Sequence, residues 1–282
     1  MKSYFGKNHF KFHGNCAYFM AKTVAPIFLI HEKSTIFLIL TNILILLLAA
    51  RYKFYNITFI LIIYKMEIHH IGENNSVLNT FISEIRDKKI QKDSLRFRRN
   101  IERIGEILSY ELSKSLSYSG VYVETPLGKK EVQLSNNDLI LCSVLRAGLP
   151  LHQGMLNYFD KAENAFISAY RHHPKDTDEF EIVVEYFASP EIKNKTFLLA
   201  DPMLATGHSL VAVYEAIKKY GTPKELHIIA VIGSKQGIDF IEKNFPENTH
   251  LWIATIDDAL NNKGYILPGL GDAGDLAFGL KL

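Results

Sequence analysis

The residues most suited to chemistry form the decapeptide ADPMLATGHS at positions 200–209. The apolar run before it, residues 196–200, is typical of a buried strand, and apolar residues at helical spacing follow it up to Gly221. A strand, a turn of small residues and a helix direct backbone N–H groups and a positive dipole end at one point. The pattern therefore predicts a phosphate-binding loop, to which Thr206 and Ser209 add hydroxyl donors.

Asp201 is the only carboxylate of this decapeptide, and it lies at the carboxyl end of the predicted strand, where open α/β sheets bind their ligands. In that position it can accept hydrogen bonds from sugar hydroxyls. The spacing differs from that of a nucleoside triphosphate P-loop, Gly-x-x-x-x-Gly-Lys-Ser/Thr. Taken alone, the turn also allows an alternative interpretation, in which its Thr, Gly and Ser only cap a helix.

Two further segments favour a ligand site. Residues 139–149, LILCSVLRAGL, place Arg146 directly after a predicted strand, and Ala147 and Gly148 let backbone amides approach an anion closely. On its own, Arg146 would equally suit a surface loop. Residues 264–274, GYILPGLGDAG, hold four glycines and a proline, which argues against a helix or a regular strand. Apolar side chains anchor this segment, so we expect an ordered loop whose backbone contacts a flat polar group.

Together these segments resemble the uracil phosphoribosyltransferase family, which has the type I phosphoribosyltransferase fold. DPMLATG resembles the family's signature for phosphoribosyl pyrophosphate (PRPP), LRAG resembles its pyrophosphate loop, and GYILPGLGDAGD resembles its uracil-binding loop. Three shorter matches occur in the same order: RFRRN at residues 96–100, YR at Tyr170 and Arg171, and YF at Tyr186 and Phe187. The resemblance extends from about Met66 to Leu282. It implies an α/β fold with a mostly parallel sheet, flanked by helices, and a small C-terminal hood over the base.

The resemblance implies a role for each matching residue. The catalytic residues would be Asp272 and Arg146, with Asp272 near the ribose and the reacting centre. The PRPP-binding residues would be Arg146, Ala147, Gly148, Arg171, Asp201, Pro202, Met203, Leu204, Ala205, Thr206, Gly207, His208, Ser209 and Asp272. The uracil-binding residues would be Ile266, Gly271, Asp272 and Ala273, which would read the base largely through main-chain groups.

The implied reaction transfers ribose 5-phosphate from PRPP to N1 of uracil and yields UMP and diphosphate, a step of pyrimidine salvage. Mg²⁺ is the expected cofactor, held mainly by PRPP rather than by a protein metal site, because Pro202 stands where many relatives in the wider fold carry a second acid. His208 stands where a glycine is common, and we expect its imidazole to point to solvent. The alternative is a non-catalytic, RNA-binding regulator of the same fold that senses PRPP and UMP. The balance of 32 basic against 30 acidic residues, without a clear basic stripe, favours the enzyme.

The expected partners are uracil and PRPP as substrates, a second copy of the chain in a homodimer or higher homo-oligomer, and GTP as a candidate effector. Tyr186 and Phe187 would pack across a dimer. We expect a cytoplasmic protein without a nucleic-acid or membrane partner. The two cysteines, Cys16 and Cys142, give no disulfide framework and fit a reducing compartment, and Cys142 is expected as a small buried residue of a core strand.

Residues 1–65 form a hydrophobic extension before the predicted domain, which spans residues 66–282. The apolar run at residues 36–50 is short for a membrane-spanning helix, which needs about 20 apolar residues. Three interpretations remain: a membrane anchor that would tether the enzyme, a buried packing helix, or upstream sequence translated from an early start. The bias toward Ile, Phe, Tyr, Lys and Asn, together with Met66 at the start of the family domain, favours the third.

The coarse order of elements favours a parallel sheet covered on both faces, because apolar strands alternate with helices. Strands are predicted at residues 121–125, 131–134, 139–144, 165–170, 181–187, 196–200, 226–232 and 251–256, and helices at residues 149–159, 209–220 and 236–244. A further helix, capped by Asp93, is predicted with one buried face formed by Leu95, Ile101, Ile104, Leu108 and Leu112. A hairpin around residues 181–187 would join the C-terminal loop in the hood.

Overall fold

Short strands alternate with helices in the part of the chain that the structure, a computed structural model, describes: residues 66–172 and 181–281. The strands are β1 (Glu67–His70), β2 (Tyr118–Thr125), β3 (Gly128–Ser135), β4 (Leu139–Leu145), β5 (Glu163–His172), β6 (Glu181–Ala188), β7 (Thr196–Ala200), β8 (Met203–Leu204), β9 (Glu225–Ser234), β10 (Thr249–Asp257), β11 (Ala259–Leu260) and β12 (Ile266–Leu267). The helices are α1 (Leu78–Arg86), α2 (Ser94–Ser113), α3 (Gly148–Leu156), α4 (His208–Lys218), α5 (Lys235–Asn244) and α6 (Ala273–Phe278), with short 3₁₀ turns at Ile71–Glu73 and Ile90–Lys92.

The central sheet has the strand order β1-β10-β9-β7-β4-β5-β6, and β8 pairs beside the end of β9. Its pairs are parallel except for β5 with β6, which form its antiparallel edge. The inner strands are apolar on both faces, and β7 is buried along its whole length. This confirms the predicted α/β class with a mostly parallel sheet, because strands without a polar face must be covered by helices on both sides.

Two hydrophobic layers cover the sheet. One layer packs α1, α2, α3 and α6 against one face, and the other packs α4 and α5 against the opposite face. Cys142 of β4 is fully buried, as expected, and burial raises the pKa of its thiol. No helix among the described residues is long and apolar enough to cross a membrane.

Helix α2 has the predicted N-cap, but its buried face differs from the predicted one. The Asp93 carboxylate accepts a hydrogen bond from the Arg96 N–H at 3.0 Å. Leu95, which we predicted on the buried face, is 63% exposed, and Phe97 lies in the core instead. The reason is the helical period, since Phe97 and not Leu95 is four residues before Ile101 and continues its stripe.

We predicted no helix or regular strand in the glycine-rich segment 264–274. This prediction was wrong, because the segment contains both strand β12 and the start of helix α6. Ile266 pairs with Leu260 in the small β11–β12 sheet, and α6 begins at Ala273. Between them, residues 268–272 form an irregular loop in which Gly269 and Gly271 have φ values of +60° and +97°.

Several elements had no local signal that we recognised: β1, α1, β8, β11, β12 and α6. The first two predicted strands form a separate antiparallel hairpin, β2–β3, outside the central sheet. The hairpin at residues 181–187 exists as β5–β6. Its part in a hood stays a prediction, because residues 173–180 lie outside the described part of the chain. The same holds for the extension at residues 1–65, Cys16 included, so its three interpretations also stay predictions.

Candidate active site

The predicted functional residues leave the sheet at its carboxyl edge. β4 and β7 are parallel neighbours in which Ser143 lies opposite Ala200. Arg146 and Asp201, which follow these two strands, therefore start from the same edge. Ligands of open α/β sheets bind at this edge, where the loops after adjacent strands converge.

The predicted phosphate loop ends at the N-terminus of α4. Gly207 is the residue before the helix and has a left-handed φ of +81°. A Cβ at Gly207 would come within 3.0 Å of the Gly237 carbonyl oxygen and of the Phe240 and Ile241 side chains. Glycine is therefore required here for both conformation and space, and the turn aims the N-terminal N–H groups of α4 across the loop.

The loop is seated on α5 through two residues that our sequence reasoning missed. The Ser234 hydroxyl donates to the Ala205 carbonyl oxygen at 2.6 Å and accepts from the Gly237 N–H at 2.9 Å, so it caps α5 as well. A Cβ at Gly237 would lie only 2.1 Å from the Ala205 oxygen. The available signal was a serine three residues before a glycine at the end of a strand, which also fits an ordinary helix cap.

Asp201 is a buried carboxylate at the start of the same loop. The Met203 N–H donates to its Oδ1 atom at 3.1 Å, and its own N–H donates to the Ile229 carbonyl oxygen. Burial raises the pKa of Asp201 to about 6, and the hydrogen bond from Met203 opposes that rise only in part. Pro202 is fixed by its carbonyl oxygen, which accepts N–H bonds from β9. The Asp201 carboxylate is thus held in place and can accept hydrogen bonds from hydroxyl groups.

Arg146 reaches the C-terminal segment. Its Nη2 atom donates to Asp275 Oδ1 at 3.2 Å and to the Gly279 carbonyl oxygen at 3.1 Å, and its side chain is 39% exposed. The Leu145–Arg146 peptide bond is cis. The LRAG loop and the segment that follows the glycine-rich loop are therefore joined by this guanidinium.

Among the four predicted uracil-binding residues, Ile266 and Ala273 are buried and Gly271 is exposed. Asp272 is the N-cap of α6: its Oδ1 atom accepts from the Asp275 N–H at 3.0 Å, and Lys281 Nζ lies 3.3 Å from Oδ2. Burial opposes ionisation, but these donors outweigh it and hold the pKa of Asp272 below its ordinary value. The carboxylate is thus charged near neutral pH and has a structural role as well.

The glycine-rich loop is also held from below by two residues that sequence reasoning did not single out. The Gly269 N–H donates to Asp257 Oδ2 at 2.9 Å, and the Gly269 carbonyl oxygen accepts from Arg86 Nη1 at 3.1 Å. Asp257 ends β10 and Arg86 ends α1, so the loop backbone is fixed to the main sheet.

The RFRRN motif holds neighbouring helices. Arg98 donates to the Ala277 carbonyl oxygen of α6 at 2.6 Å. Arg96 and Asn100 both donate to the Glu84 carboxylate of α1. The motif therefore supports the C-terminal segment and α1 rather than contributing side chains to the phosphate loop.

Four other predicted residues differ in where they lie. His208 is exposed, and its ring stacks on Phe240 with centroids 4.2 Å apart. Phe187 packs edge-on against Tyr220 of the same chain, whereas Tyr186 is 54% exposed. Arg171 lies near the end of β5, and its side chain falls outside the described part of the structure.

The α/β fold combines a glycine-dependent loop at a helix N-terminus, a buried carboxylate after the central strand and a tethered C-terminal loop at one sheet edge. These features are those expected of a phosphoribosyltransferase, because a loop at a helix N-terminus and a carboxylate at the carboxyl edge of the sheet suit a sugar phosphate.

Comparison with known proteins identifies the family to which this chain belongs. The profile of the family Uracil phosphoribosyltransferase matches residues 73–280. The chain belongs to the uracil phosphoribosyltransferase family and is therefore an enzyme.

Relatives cover the same part of the chain. A Porphyromonas gingivalis protein named uracil phosphoribosyltransferase is 51% identical over 217 residues, which are 77% of this chain and 100% of the relative. A Pyrococcus furiosus protein of the same name is 40% identical over 210 residues, 73% of this chain and 88% of the relative. Among solved structures, the AQ2163 protein of Aquifex aeolicus is similar with a TM-score of 0.68 and 28% identity, covering 76% of this chain and 99% of that one.

Proposed function

We propose that this chain transfers ribose 5-phosphate from PRPP to N1 of uracil and releases diphosphate, so that it forms UMP for pyrimidine salvage. The observation that carries the proposal is the tether between Arg146 and the segment after the glycine-rich loop. It joins the predicted pyrophosphate loop to the predicted base loop, so the leaving group and the attacking base would meet across one ribose.

PRPP would bind along the loop from Asp201 to Ser209. The N–H groups at the α4 N-terminus, with the hydroxyls of Thr206 and Ser209, would hold the 5′-phosphate. The Asp201 carboxylate would accept hydrogen bonds from the ribose hydroxyls. Arg146 and Arg171 would hold the pyrophosphate, a task suited to guanidinium groups because they stay charged and bind two oxygens at once.

Catalysis would come mainly from position and charge. The ribose becomes oxocarbenium-like as diphosphate leaves, and the Asp272 carboxylate, already ionised, would face that developing positive charge. Fixed substrates and exclusion of water would lower the barrier further. The charge on Arg146 would turn from Asp275 toward the departing diphosphate.

Uracil would be recognised by the backbone of Ile266 and of residues 271–273. Its alternating acceptor and donor edge suits fixed amide and carbonyl groups. Cytosine carries an amino group in place of one carbonyl, which would leave a mismatched buried pair, and such pairs are costly. The attachment of Gly269 to Arg86 and Asp257 supports this role, because it keeps the loop backbone fixed.

Mg²⁺ would enter with PRPP. Magnesium in such sites is bound through one or two carboxylates and the substrate's phosphates. Asp201, with Pro202 beside it, fits that pattern as a single carboxylate next to the ribose. When bound, the ion would neutralise the leaving diphosphate.

The wider setting is also part of the proposal. Residues 66–282 would form the catalytic domain, acting in the cytoplasm as a homodimer or higher homo-oligomer. The exposed Tyr186 side chain is available for contact with a second copy. GTP is a candidate effector, and no nucleic-acid partner is proposed.

The deciding experiment measures UMP formation from PRPP and uracil, with cytosine, orotate and hypoxanthine as alternative bases. We expect UMP only with uracil, together with stoichiometric diphosphate. Turnover of another base at the same rate, or PRPP binding without UMP, would contradict the proposal.

A further inference from the structure

A second cluster of ionisable side chains lies at the opposite, amino-terminal edge of the sheet. Strands β1, β10 and β9 are adjacent, with Glu67 opposite His250 and His250 opposite His227. Because side chains alternate along a strand, the following residues share one face: Glu67, His69, His250, Trp252, Glu225 and His227. The predicted catalytic loops leave from the other edge, so this cluster has no part in them.

Three of these side chains are spaced as metal ligands. His69 Nε2 lies 3.4 Å from His250 Nδ1 and 3.6 Å from Glu67 Oε1, and His250 Nδ1 lies 3.2 Å from Glu67 Oε2. A tetrahedral zinc ion, with bonds of about 2.0–2.1 Å, separates its nitrogen and oxygen ligands by about 3.3–3.4 Å. The two imidazole nitrogens therefore have the separation of two zinc ligands, and the two oxygens of Glu67 each lie near that separation from one of them.

The second nitrogen of His250 lies near a carboxylate. If Nδ1 binds a metal, Nε2 carries the proton, and it faces Glu225 Oε1 at 3.7 Å. Metal-binding histidines usually direct this other N–H group to a carboxylate, which fixes the ring. Glu225 thus occupies the position of a supporting carboxylate behind the ligand.

A buried histidine that is not itself a ligand lies beside Glu225. Trp252 Nε1 donates to His227 Nδ1 at 3.0 Å, and because an indole N–H can only donate, the proton of neutral His227 lies on Nε2. That nitrogen is buried, lies 3.4 Å from Glu225 Oε1 and makes no hydrogen bond within the described part of the chain. The side chains of Trp252, His227, Glu225 and His250 therefore lie next to one another in that order.

The ring of His69 is held by stacking, and the cluster can be reached from solvent. The His69 ring stacks on Trp252 with centroids 3.7 Å apart and planes within 6°. The His69 and His250 side chains are each 21% exposed, whereas Glu67 is 63% exposed. An ion could enter beside Glu67, and water could complete its coordination.

We propose that Glu67, His69 and His250 form a binding site for Zn²⁺. Two imidazoles and one carboxylate suit zinc, whereas Mg²⁺ prefers an all-oxygen shell. The site is independent of the Mg²⁺ expected with PRPP. Since β1 is a four-residue edge strand, the bound ion would fasten it to β10.

The test uses the full-length protein after removal of metals with a chelator. Zn²⁺ is titrated by calorimetry, and Co²⁺ serves as a spectroscopic probe through its visible absorption. We expect saturable Zn²⁺ binding and a Co²⁺ absorption band that Zn²⁺ displaces. Glu67→Gln, His250→Gln and His69→Phe, which keeps a ring on Trp252, should each weaken this binding at least ~10-fold, and Glu225→Gln by about 10–100-fold.

The matched control is His70→Gln, because His70 lies on the same strand but on the other face of the sheet. It should bind Zn²⁺ as the unaltered chain does. Circular dichroism and UMP formation should be unchanged in every variant, which separates loss of metal from loss of fold. Equal Zn²⁺ uptake by the unaltered chain and by His69→Phe, or no uptake by either, would show a hydrogen-bonded cluster without a metal and overturn the proposal.

Discussion

Arg86 and Asp257 form a two-point ion pair beneath the glycine-rich loop. Arg86 Nη1 and Nη2 donate to the two carboxylate oxygens of Asp257 at 2.8 and 2.7 Å, although the residues are 171 positions apart. Burial opposes ionisation of Asp257, but the hydrogen bonds from Arg86 and Gly269 outweigh it and hold its pKa below the ordinary value. The pair therefore presents one charged and rigid surface to the backbone of Gly269.

Arg86→Gln should weaken uracil binding more than PRPP binding. The substitution leaves a buried carboxylate without its cation and frees the Gly269 carbonyl oxygen from one donor. Loss of such a charge-assisted bond costs about 1.5–3 kcal/mol, so we expect KM for uracil to rise roughly 10- to 100-fold. Steady-state kinetics with each substrate varied in turn measures this.

Arg96→Gln is the matched control for Arg86→Gln. Arg96 also makes a two-point ion pair, but its side chain is 51% exposed and both hydrogen bonds go to Glu84 of α1. We expect KM for uracil to stay within about twofold, since exposed ion pairs contribute little. An equal change in both variants, or a larger change in KM for PRPP, would contradict the positioning role of Arg86.

The Arg86–Asp257 pair also marks the limit of what could be predicted from the sequence. Strand β7 and the Asp93 cap follow from neighbouring residues, and they were predicted correctly. Nothing near Arg86 indicates a partner on β10, because the fold alone brings them together. The phosphate loop could be predicted from the sequence for the opposite reason, since its glycine and hydroxyl residues lie close together in the chain, and its role stays a prediction.

Other parts of the site were hidden for related physical reasons. Ser234 and Gly237 support Ala205 across a gap of 29 residues or more, so their spacing carried no signal. The start of α6 was missed because its glycine-rich surroundings disfavour a helix, and the Asp272 cap and the burial of Ala273 and Ala277 compensate.

Arg146→Lys should impair catalysis although it keeps the positive charge. An ammonium group cannot bind two diphosphate oxygens in one plane, so one charge-assisted contact is lost in the transition state. We expect a cost of ~2–4 kcal/mol, which corresponds to about a 30- to 1,000-fold lower kcat/KM for PRPP. Pre-steady-state and steady-state UMP formation would measure it. Unchanged turnover with unchanged diphosphate affinity would instead assign Arg146 to a structural link with Asp275.

Protonation of Asp201 should make kcat/KM for PRPP fall at acidic pH. Its pKa is raised to about 6, and only the ionised form accepts hydrogen bonds on both oxygens from ribose hydroxyls. We expect kcat/KM for PRPP to fall toward ~10-fold per pH unit below pH 6. Asp201→Asn should be less active and lack this limb. An acid limb of the same midpoint in Asp201→Asn would contradict the assignment.

The raised pKa of Asp201 also determines how the free energy of unfolding changes with pH. Because the pKa of Asp201 is higher in the folded protein than its ordinary 3.8, the folded state binds the proton more tightly than the unfolded state. The resulting stabilisation is fully present below pH 3.8 and is lost as pH rises through 6. Relative to Asp201→Asn, the free energy of unfolding should therefore fall by about 2–3 kcal/mol between pH 4 and 7. Urea unfolding at several pH values measures this, and a rising difference would contradict it.

A chain that starts at Met66 should be as active as the full-length chain. The predicted site residues begin at Arg146, and the family profile begins at residue 73. Specific activity and melting temperature of the two preparations make the comparison. Aggregation or loss of activity in the shortened chain alone would show that residues 1–65 contribute to the folded enzyme.

Asp272 combines two roles that a pair of substitutions can separate. Its carboxylate caps α6 through the Asp275 N–H, and it is the acid of the predicted base loop. Asparagine also caps helices well, so Asp272→Asn keeps the cap and removes the charge. Asp272→Ala removes both and should lower the free energy of unfolding by about 1 kcal/mol. If the carboxylate stabilises the oxocarbenium-like ribose, both variants should lose turnover by orders of magnitude, although only Asp272→Ala is less stable.

Two measurements on Asp272→Asn and Asp272→Ala, stability and turnover, therefore separate the two roles. Thermal or urea unfolding reports the cap, and kcat for UMP formation reports the charge. PRPP binding by calorimetry shows whether the inactive variants still form the substrate complex, which we expect because Ser234 anchors the predicted phosphate loop at the start of α5. Near-normal turnover in Asp272→Asn, with a loss confined to Asp272→Ala, would assign Asp272 to helix capping and leave the developing charge on ribose to other groups.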